Sequence, residues 1–132
     1  PWKTILSNKG LLPLLWGMFE GHPNLLPAFF EDDPASVDFA NFGTFVRKPM
    51  LSRQGANIQI VEDGQTIFES DGPYGTEACI LQEFQPLPNI EGRYPLLGCW
   101  MVASKAVGLC IREDQTLVTG KEANFVPHVI LG

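Results

Sequence analysis

The chain has 132 residues, of which 45% are hydrophobic, and a formal net charge of −6 at pH 7. This length allows one core that buries roughly two-thirds of the unfolded surface, and we interpret 1–132 as a single segment. The nine Lys and Arg residues form no basic run that could neutralise a nucleic-acid backbone. No apolar run approaches the roughly 20 residues that span a bilayer. Composition therefore predicts neither a nucleic acid nor a membrane as a partner.

The cysteine pattern indicates the redox environment of the cellular compartment. Cys79, Cys99 and Cys110 are odd in number, lie in apolar stretches and form no CxxC pair. This pattern is typical of buried thiols in a reducing cytosol, and it favours neither a disulfide framework nor a zinc site. We therefore predict a cytoplasmic protein. Because both ends run in apolar residues, we also expect the chain to be part of a longer protein.

The first third of the chain predicts short helices. Ser7 and Asn8 form a good N-cap pair ahead of apolar residues at helical spacing, which predicts a helix over about 8–20. Pro13 and Gly17 predict that this helix is short or kinked. After a turn at 31–34, residues 35–41 are predicted to form one more helical turn.

The remainder of the chain predicts strands. Asp63-Gly64 is a strong hairpin signal, and Glu91-Gly92 and Lys105-Ala106 mark looser returns. Closely spaced strands without intervening helices favour an antiparallel sheet. The predicted class is therefore α+β, mainly antiparallel sheet with a few short helices. The predicted strands are 44–50, 57–62, 66–69, 78–85, 94–103, 107–112 and 117–119.

The most informative segment is the strand that carries Arg47 and Lys48. Successive strand residues point to opposite faces, so a covered face would turn one of these two cations inward. An inward cation needs an anion to offset the loss of water. The loop 52–57 that follows, with Gly55, could place backbone amides beside that cation as a phosphate cradle. The alternative is an edge strand protected by two charges.

Two other cations could bind an anion. Lys9 lies at a predicted helix start, where free amides and the helix dipole favour negative charge; the alternative is a surface lysine whose stem covers apolar surface. Arg112 ends an apolar strand, and its planar fork suits phosphate or carboxylate. The alternative for Arg112 is an ion pair with Glu113 or Asp114.

The strand 78–85 could contribute a pocket for a flat ring. It ends in Gln82-Glu83-Phe84-Gln85, directly before Pro86-Leu87-Pro88. Because proline donates no ladder bond, backbone groups at this strand end could stay free to pair with a heteroaromatic ring such as adenine. A strand that simply ends in polar residues is the alternative.

Taken in order, the motifs resemble the C-terminal part of glutathionylspermidine synthase-like proteins. The resemblance covers nearly the whole chain and implies an ATP-grasp-like fold, of which this would be the C-terminal fragment of a larger ligase. It rests on the combination of motifs and not on any single one. These motifs are 6–16, His22-Pro23-Asn24-Leu25-Leu26, Val46-Arg47-Lys48-Pro49, Arg53-Gln54-Gly55-Ala56-Asn57, 82–85, Gly92-Arg93-Tyr94-Pro95, 108–114 and Phe125-Val126-Pro127-His128.

The resemblance implies an ATP-dependent acid–amine (C–N) ligase, which phosphorylates a carboxylate and lets an amine displace the phosphate to form an amide. Lys9 and Lys48 would hold ATP phosphates, and Gln54 and Gly55 would belong to a flexible loop that closes over them. Arg112 would stabilise charge on the transferred phosphoryl group. The adenine pocket would be lined by Gln82, Glu83, Phe84, Gln85, Leu117, Val118 and Thr119.

The same resemblance implies ATP and Mg²⁺ as cofactors, with the metal ligands upstream of this segment. The substrates would be a small carboxylate and an amine, such as glutathione and a polyamine. We therefore expect the nucleotide-binding part of a ligase that is inactive by itself. Two alternatives remain open: a non-catalytic nucleotide- or partner-binding module derived from that fold, and an independent β-rich domain.

Overall fold

The computed structural model describes residues 2–41 and 43–129. They divide into two compact units, Pro1–Gln85 and Pro86–Gly132. The first unit contains a 3₁₀ helix, Trp2–Ser7, the helices α1, Leu11–Met18, and α2, Pro34–Asn41, and five strands. The second unit contains three strands. The strands are β1 Ala28–Phe30, β2 Phe45–Pro49, β3 Gln59–Glu62, β4 Gln65–Glu69, β5 Cys79–Glu83, β6 Tyr94–Val102, β7 Lys105–Asp114 and β8 Asn124–Val126.

The start of α1 differs from the prediction. Gly10 is the N-cap residue, and the Asn8 side chain accepts the Gly10 amide at 2.8 Å. Ser7 donates its hydroxyl to the Thr4 carbonyl at 2.7 Å, so it caps nothing in α1. The predicted helix over about 8–20 is therefore confirmed in its centre and shortened at both ends.

The second helix is longer than the single turn predicted for 35–41. Pro34 occupies its first position, where the missing amide costs nothing. The Asp33 side chain accepts the Ala35 amide at 2.9 Å and caps the helix. The acidic turn at 31–34 therefore acts as a helix start.

The first unit is built on an antiparallel sheet in the order β1-β5-β2-β3-β4. Its centre is closed by Ile60 and Ile80, which are fully buried. The strand β1 was not predicted, because its three residues show no alternation of apolar and polar side chains. It forms by pairing with β5. The β3–β4 hairpin turns at Asp63 and Gly64 with φ of 49° and 74°. These angles suit a type I′ turn, so the hairpin prediction is confirmed.

The sheet carries one helix on each face. A Cβ on Gly10 would lie 2.8 Å from Met50 Sδ and 3.4 Å from Phe30 Cε1, so the start of α1 packs closely on the face that holds Phe30. Phe39 of α2 lies 4.9 Å from Phe29, between ring centroids, on the other face. Lys48 shares the face of Phe30, because both residues pair with Ile80.

The second unit is an antiparallel sheet in the order β6-β7-β8. Its main hairpin turns at Ala103 and Ser104, both with positive φ, and not at Lys105-Ala106 as predicted. The predicted strand 117–119 is absent from the described structure, where 115–118 form a bend. The Asp114 carboxylate accepts the amides of Gln115 and Gly120 at 2.7 and 2.9 Å, and these bonds close the segment into a loop.

Many apolar side chains of the second unit are exposed. Trp100 is 65% exposed, and Cys99 lies beside it in the open. The expectation of buried thiols therefore holds for Cys79 and is wrong for Cys99. In the part of the chain that the structure describes, neither helix has the length and apolar character needed to cross a bilayer.

Candidate functional site

Lys48 is the inward cation of its strand. The register pairs Val46 with Gln82, so the Lys48 and Gln82 side chains lie on one face. The Lys48 ammonium donates to Gln82 Oε1 at 2.7 Å, and Gln82 is only 7% exposed. Burial, and then the charge of Lys9, lower the pKa of Lys48 to about 8. Lys48 therefore has a neutral partner where the sequence predicted an anion.

Arg47 points to the opposite face and forms an ion pair. Its Nε and Nη2 atoms donate to the two carboxylate oxygens of Glu31 at 2.5 and 2.9 Å. This bond, acting against burial, raises the pKa of Arg47. The prediction that Arg47 and Lys48 face opposite sides is confirmed by these contacts. The structure thus separates a charge that is neutralised within the protein from one that is not.

Lys9 lies close to Lys48 and is held by the segment that follows β2. Its ammonium donates to the backbone carbonyl and to the hydroxyl of Ser52, the latter at 3.2 Å. Its amide donates to the Met50 carbonyl at 2.8 Å. Burial and then the charge of Arg53 lower the pKa of Lys9, while the charge of Glu77 raises it. The predicted free amides at this helix start are in use, because Gly10, Leu11 and Leu12 all donate to acceptors.

The two ammonium groups retain capacity for a ligand. Each lysine has three N–H donors. Among the described residues, Lys9 uses two donors on Ser52 and Lys48 uses one on Gln82. Three donors remain on two neighbouring positive charges, whose mutual repulsion an anion would relieve. A polyphosphate, with several oxygens and several negative charges, fits this arrangement.

The predicted loop residues adjoin this pair. Gln54 and Gly55 have φ of 55° and 74°, and Ala56 donates to the Arg53 carbonyl at 3.0 Å, which makes a tight type I′ turn. Ser70 donates its hydroxyl to the Gly55 carbonyl at 2.5 Å. At the other end of the loop, the Leu51 amide donates to Glu77 Oε2 at 3.1 Å. The loop is anchored on both sides, and its tip residues Arg53 and Gln54 are exposed.

The strand end at 82–85, predicted to form a pocket for a flat ring, has a cavity beside it but fewer free backbone groups than expected. The amides of Glu83 and Phe84 donate to the Pro27 and Thr44 carbonyls at 2.9 and 3.1 Å, so these two donors are not free for a ring. The expectation of free amides is therefore wrong for these two residues, because the neighbouring segments continue the ladder past the strand end. Gln85 is exposed, and a cavity of about 460 Å³ opens beside Glu83. The cavity is lined by Pro27, Phe39, Gly43, Thr44, Glu83 and Phe84.

Arg112 belongs to the second unit. Its Nη2 atom donates to the Gly120 carbonyl at 2.6 Å, and its guanidinium carbon lies 5.7 Å from the centre of the Phe125 ring. Within the described residues it forms no ion pair, since Glu113 pairs with Arg93 and the Asp114 carboxylate binds loop amides. The ion-pair alternative is therefore excluded in this structure.

The loop next to Arg112 contains the other predicted residues of this unit. Leu117, Val118 and Thr119 are half-buried there. The Arg112 Nε atom and the Thr119 hydroxyl are buried, and neither has a hydrogen-bond partner among the described residues. The structure thus brings Arg112 close to the 117–120 segment. The meeting of Arg112 with Lys9 and Lys48 stays a prediction.

Sequence reasoning missed the contacts that hold the lysines and the arginine in place. The Ser52 hydroxyl, the Gln82 amide and the Glu31 carboxylate reach partners 43, 34 and 16 residues away. Tertiary packing brings these pairs together, through the register of β2 with β5 in the case of Lys48 and Gln82, so no local signal could have shown them. In the described ranges, no group of three or more His, Cys, Asp and Glu side chains is placed to hold a metal ion.

Comparison with known proteins gives a family and several relatives. The family model described as glutathionylspermidine synthase preATP-grasp matches residues 1–131. A Haemophilus influenzae protein, provisionally named an acid–amine ligase, is 39% identical over 133 residues, which cover 96% of this chain and 33% of the relative. Trypanothione synthetase of Crithidia fasciculata is 35% identical over 127 residues, or 94% of this chain and 19% of the relative.

A third relative has two named activities. It is the bifunctional glutathionylspermidine synthetase/amidase of Escherichia coli, 29% identical over 131 residues, which cover 98% of this chain and 20% of the relative. The chain therefore spans a third or less of the length of the curated relatives that it matches.

Proposed function

Since this chain belongs to the glutathionylspermidine synthase preATP-grasp family, we propose that it is the nucleotide-binding part of an ATP-dependent carboxylate–amine ligase. The relatives are named as ligases or synthetases, which supports the reaction class. The observation that carries the proposal is the pair of lysines, Lys9 and Lys48, neither of which forms an ion pair with a carboxylate of the described residues.

In this proposal Lys9 and Lys48 hold the phosphates of ATP, and the turn at Gln54 and Gly55 covers them. The shared sheet face of Lys48 and Gln82 supports this arrangement, as does the Ser52 contact that joins Lys9 to the loop. The adenine pocket is assigned to Gln82, Glu83, Phe84 and Gln85 of the first unit, and a contribution from Leu117, Val118 and Thr119 stays a prediction. Arg112 is assigned to the stabilisation of charge during phosphoryl transfer.

The chemistry needs fixed positive charge more than a nucleophilic side chain. ATP, when bound, supplies the phosphoryl group that activates a carboxylate for attack by an amine. Ammonium groups held before the ligand arrives stabilise the developing negative charge without reorganising at the moment of reaction. Burial strengthens this effect, because charges interact more strongly away from water.

The substrates and the metal are also proposals. The names of two relatives point to glutathionylspermidine and trypanothione, so we propose a small carboxylate and an amine, such as glutathione and a polyamine, as the substrates. Magnesium would accompany ATP, with its protein ligands outside this segment. We expect the segment alone to bind nucleotide without turnover.

Calorimetric titration of the 132-residue chain with ATP, in the presence of Mg²⁺, tests the proposal. Lys48→Met should weaken binding by about 10- to 100-fold, the usual effect of losing a contact to a charged group. Arg47→Met is the matched control, because Arg47 is the next residue on the opposite face and is already paired with Glu31. Equal losses in both variants, or a parent chain that binds no ATP, would refute the proposal.

Two further measurements test the adenine pocket and the catalytic role separately. Titration with GTP tests whether an adenine pocket exists, since a site that holds only phosphates would bind both nucleotides equally. Assay of ligase turnover in a longer protein that contains this chain separates a catalytic role from the non-catalytic module. Tight ATP binding with no amide formation from any acid–amine pair would favour the module.

A further inference from the structure

We propose that Ser52 is a positioning residue of the phosphate site, holding the Lys9 ammonium so that its remaining donor is directed to a bound polyphosphate. The inference rests on the proposed function of Lys9 and adds a residue that neither the motifs nor the resemblance singled out. A lysine has a flexible four-carbon stem, so its ammonium is a precise donor only where other groups fix it.

Ser52 has two acceptors for one ammonium. The Lys9 ammonium donates both to the Ser52 carbonyl and to its hydroxyl, the latter at 3.2 Å. The hydroxyl in turn donates its only proton to the Pro49 carbonyl at 3.2 Å. This second bond orients the hydroxyl oxygen so that a lone pair is available to Lys9. Ser52 is only 3% exposed, so water does not compete freely for these bonds.

Both acceptors are neutral, and this distinguishes the contact from an ion pair. A carboxylate at the same place would hold the ammonium and also cancel its charge, as Glu31 does for Arg47. A serine fixes the position of Lys9 and leaves its charge available to an anion. This combination of fixed position and retained charge is what electrostatic stabilisation of a ligand requires.

Ser52 also connects Lys9 to the loop that follows. The Lys9 amide is bonded to Met50 and the Lys9 ammonium to Ser52, so both ends of the lysine contact the same three-residue stretch. The turn at Gln54 and Gly55 begins one residue later. An anion held by Lys9 is therefore tied directly to the segment proposed to cover it.

The test compares Ser52→Ala with Ser36→Ala in the 132-residue chain. Ser36 is an equally buried serine, 3% exposed, whose hydroxyl donates to the Glu31 carbonyl. The probe is inorganic tripolyphosphate, which reports the phosphate site without any adenine pocket. Ser52→Ala should weaken tripolyphosphate binding about fivefold, which is less than the loss of a direct charged contact, because the Ser52 carbonyl still holds the Lys9 ammonium. Ser36→Ala should leave binding unchanged, and Ser52→Thr, which keeps the hydroxyl, should retain most of it.

A double-mutant cycle with Lys9→Met separates positioning from a general structural role. If Ser52 acts through Lys9, Ser52→Ala should cause no further loss once Lys9 is Met. Equal losses with and without Lys9, or no loss in Ser52→Ala, would overturn the inference while leaving the proposed function standing.

A measurement without ligand tests the Ser52–Lys9 contact even if the parent chain binds no tripolyphosphate. In that case the proposed function fails and the phosphate role of Ser52 fails with it. The contact itself is tested by NMR titration of the Lys9 ammonium. Ser52→Ala should lower the pKa of Lys9, because the hydroxyl stabilises the charged form. An unchanged pKa would show that the hydroxyl does not hold Lys9 at all.

Discussion

Replacing Lys48 by Met should stabilise the first unit while it weakens anion binding. In the folded chain the Lys48 pKa is about 8, against an ordinary value of 10.5. At about 1.4 kcal/mol per pKa unit, this difference means that keeping Lys48 charged costs the folded state up to about 3 kcal/mol. Methionine removes this cost but leaves the buried Gln82 amide without its partner, a loss of about 1–2 kcal/mol. The net expectation is a gain of about 1–2 kcal/mol at pH 7.

The size of this stabilisation depends on pH between about 8 and 10.5. Because the folded pKa is lowered, the unfolded chain binds more protons between about pH 8 and 10.5, so the stability of the parent rises with pH across that range. The advantage of the Met variant should therefore be full below pH 8 and shrink towards pH 10.5. Urea unfolding of both proteins at pH 7 and pH 10 measures this difference. A Met variant less stable than the parent at pH 7, or an advantage that does not shrink, would refute the reasoning.

Three other perturbations test Lys48, its partner Gln82 and the close contact at Gly72. Tripolyphosphate affinity, measured by calorimetry relative to Lys48→Arg, should fall about tenfold from pH 7 to pH 9 as Lys48 loses its proton; a flat profile would contradict the assignment. Gln82→Glu should raise the pKa of Lys48 and compete with the anion, so NMR titration should show a higher pKa and calorimetry a weaker affinity. Gly72→Ala should destabilise the fold by about 1–3 kcal/mol in urea unfolding, because a Cβ there would lie 2.4 Å from the Asn57 side-chain oxygen. Gly75→Ala, where the same atom meets nothing within 4 Å, is its control and should change little.

The parts of the fold that were predictable are those set by neighbouring residues. Asp63-Gly64 is a hairpin turn because both residues accept positive φ, which is a property of the dipeptide itself. The opposite directions of Arg47 and Lys48 follow from strand geometry alone. Which of the two faces inward was not predictable, because it depends on the pairing of β2 with β5.

The wrong predictions of secondary structure also have local causes. Residues 117–119 read as a strand because Leu, Val and Thr favour extended structure. The Asp114 side chain overrides that preference by accepting amides from both ends of the segment and closing a loop. The same kind of competition places Asp33 at the start of α2, where the sequence showed only an acidic turn.

The chemistry of their partners distinguishes Lys9 and Lys48 from the cations that form ion pairs in the described residues. Arg47, Arg93 and Lys121 each lie within hydrogen-bond or ion-pair distance of a carboxylate, at 2.5, 3.4 and 3.7 Å. Such pairs are balanced inside the protein and need no ligand.

Lys9 and Lys48 instead meet a serine and a glutamine, which orient an ammonium group without neutralising it. Burial, and then the repulsion between the two ammonium groups, make the charged form of Lys48 unfavourable in the folded protein, which lowers its pKa. An anion that binds only the folded protein would offset this cost. The neutral partners, more than the lysines themselves, are therefore the reason for proposing this face of the sheet as a site for a polyanion.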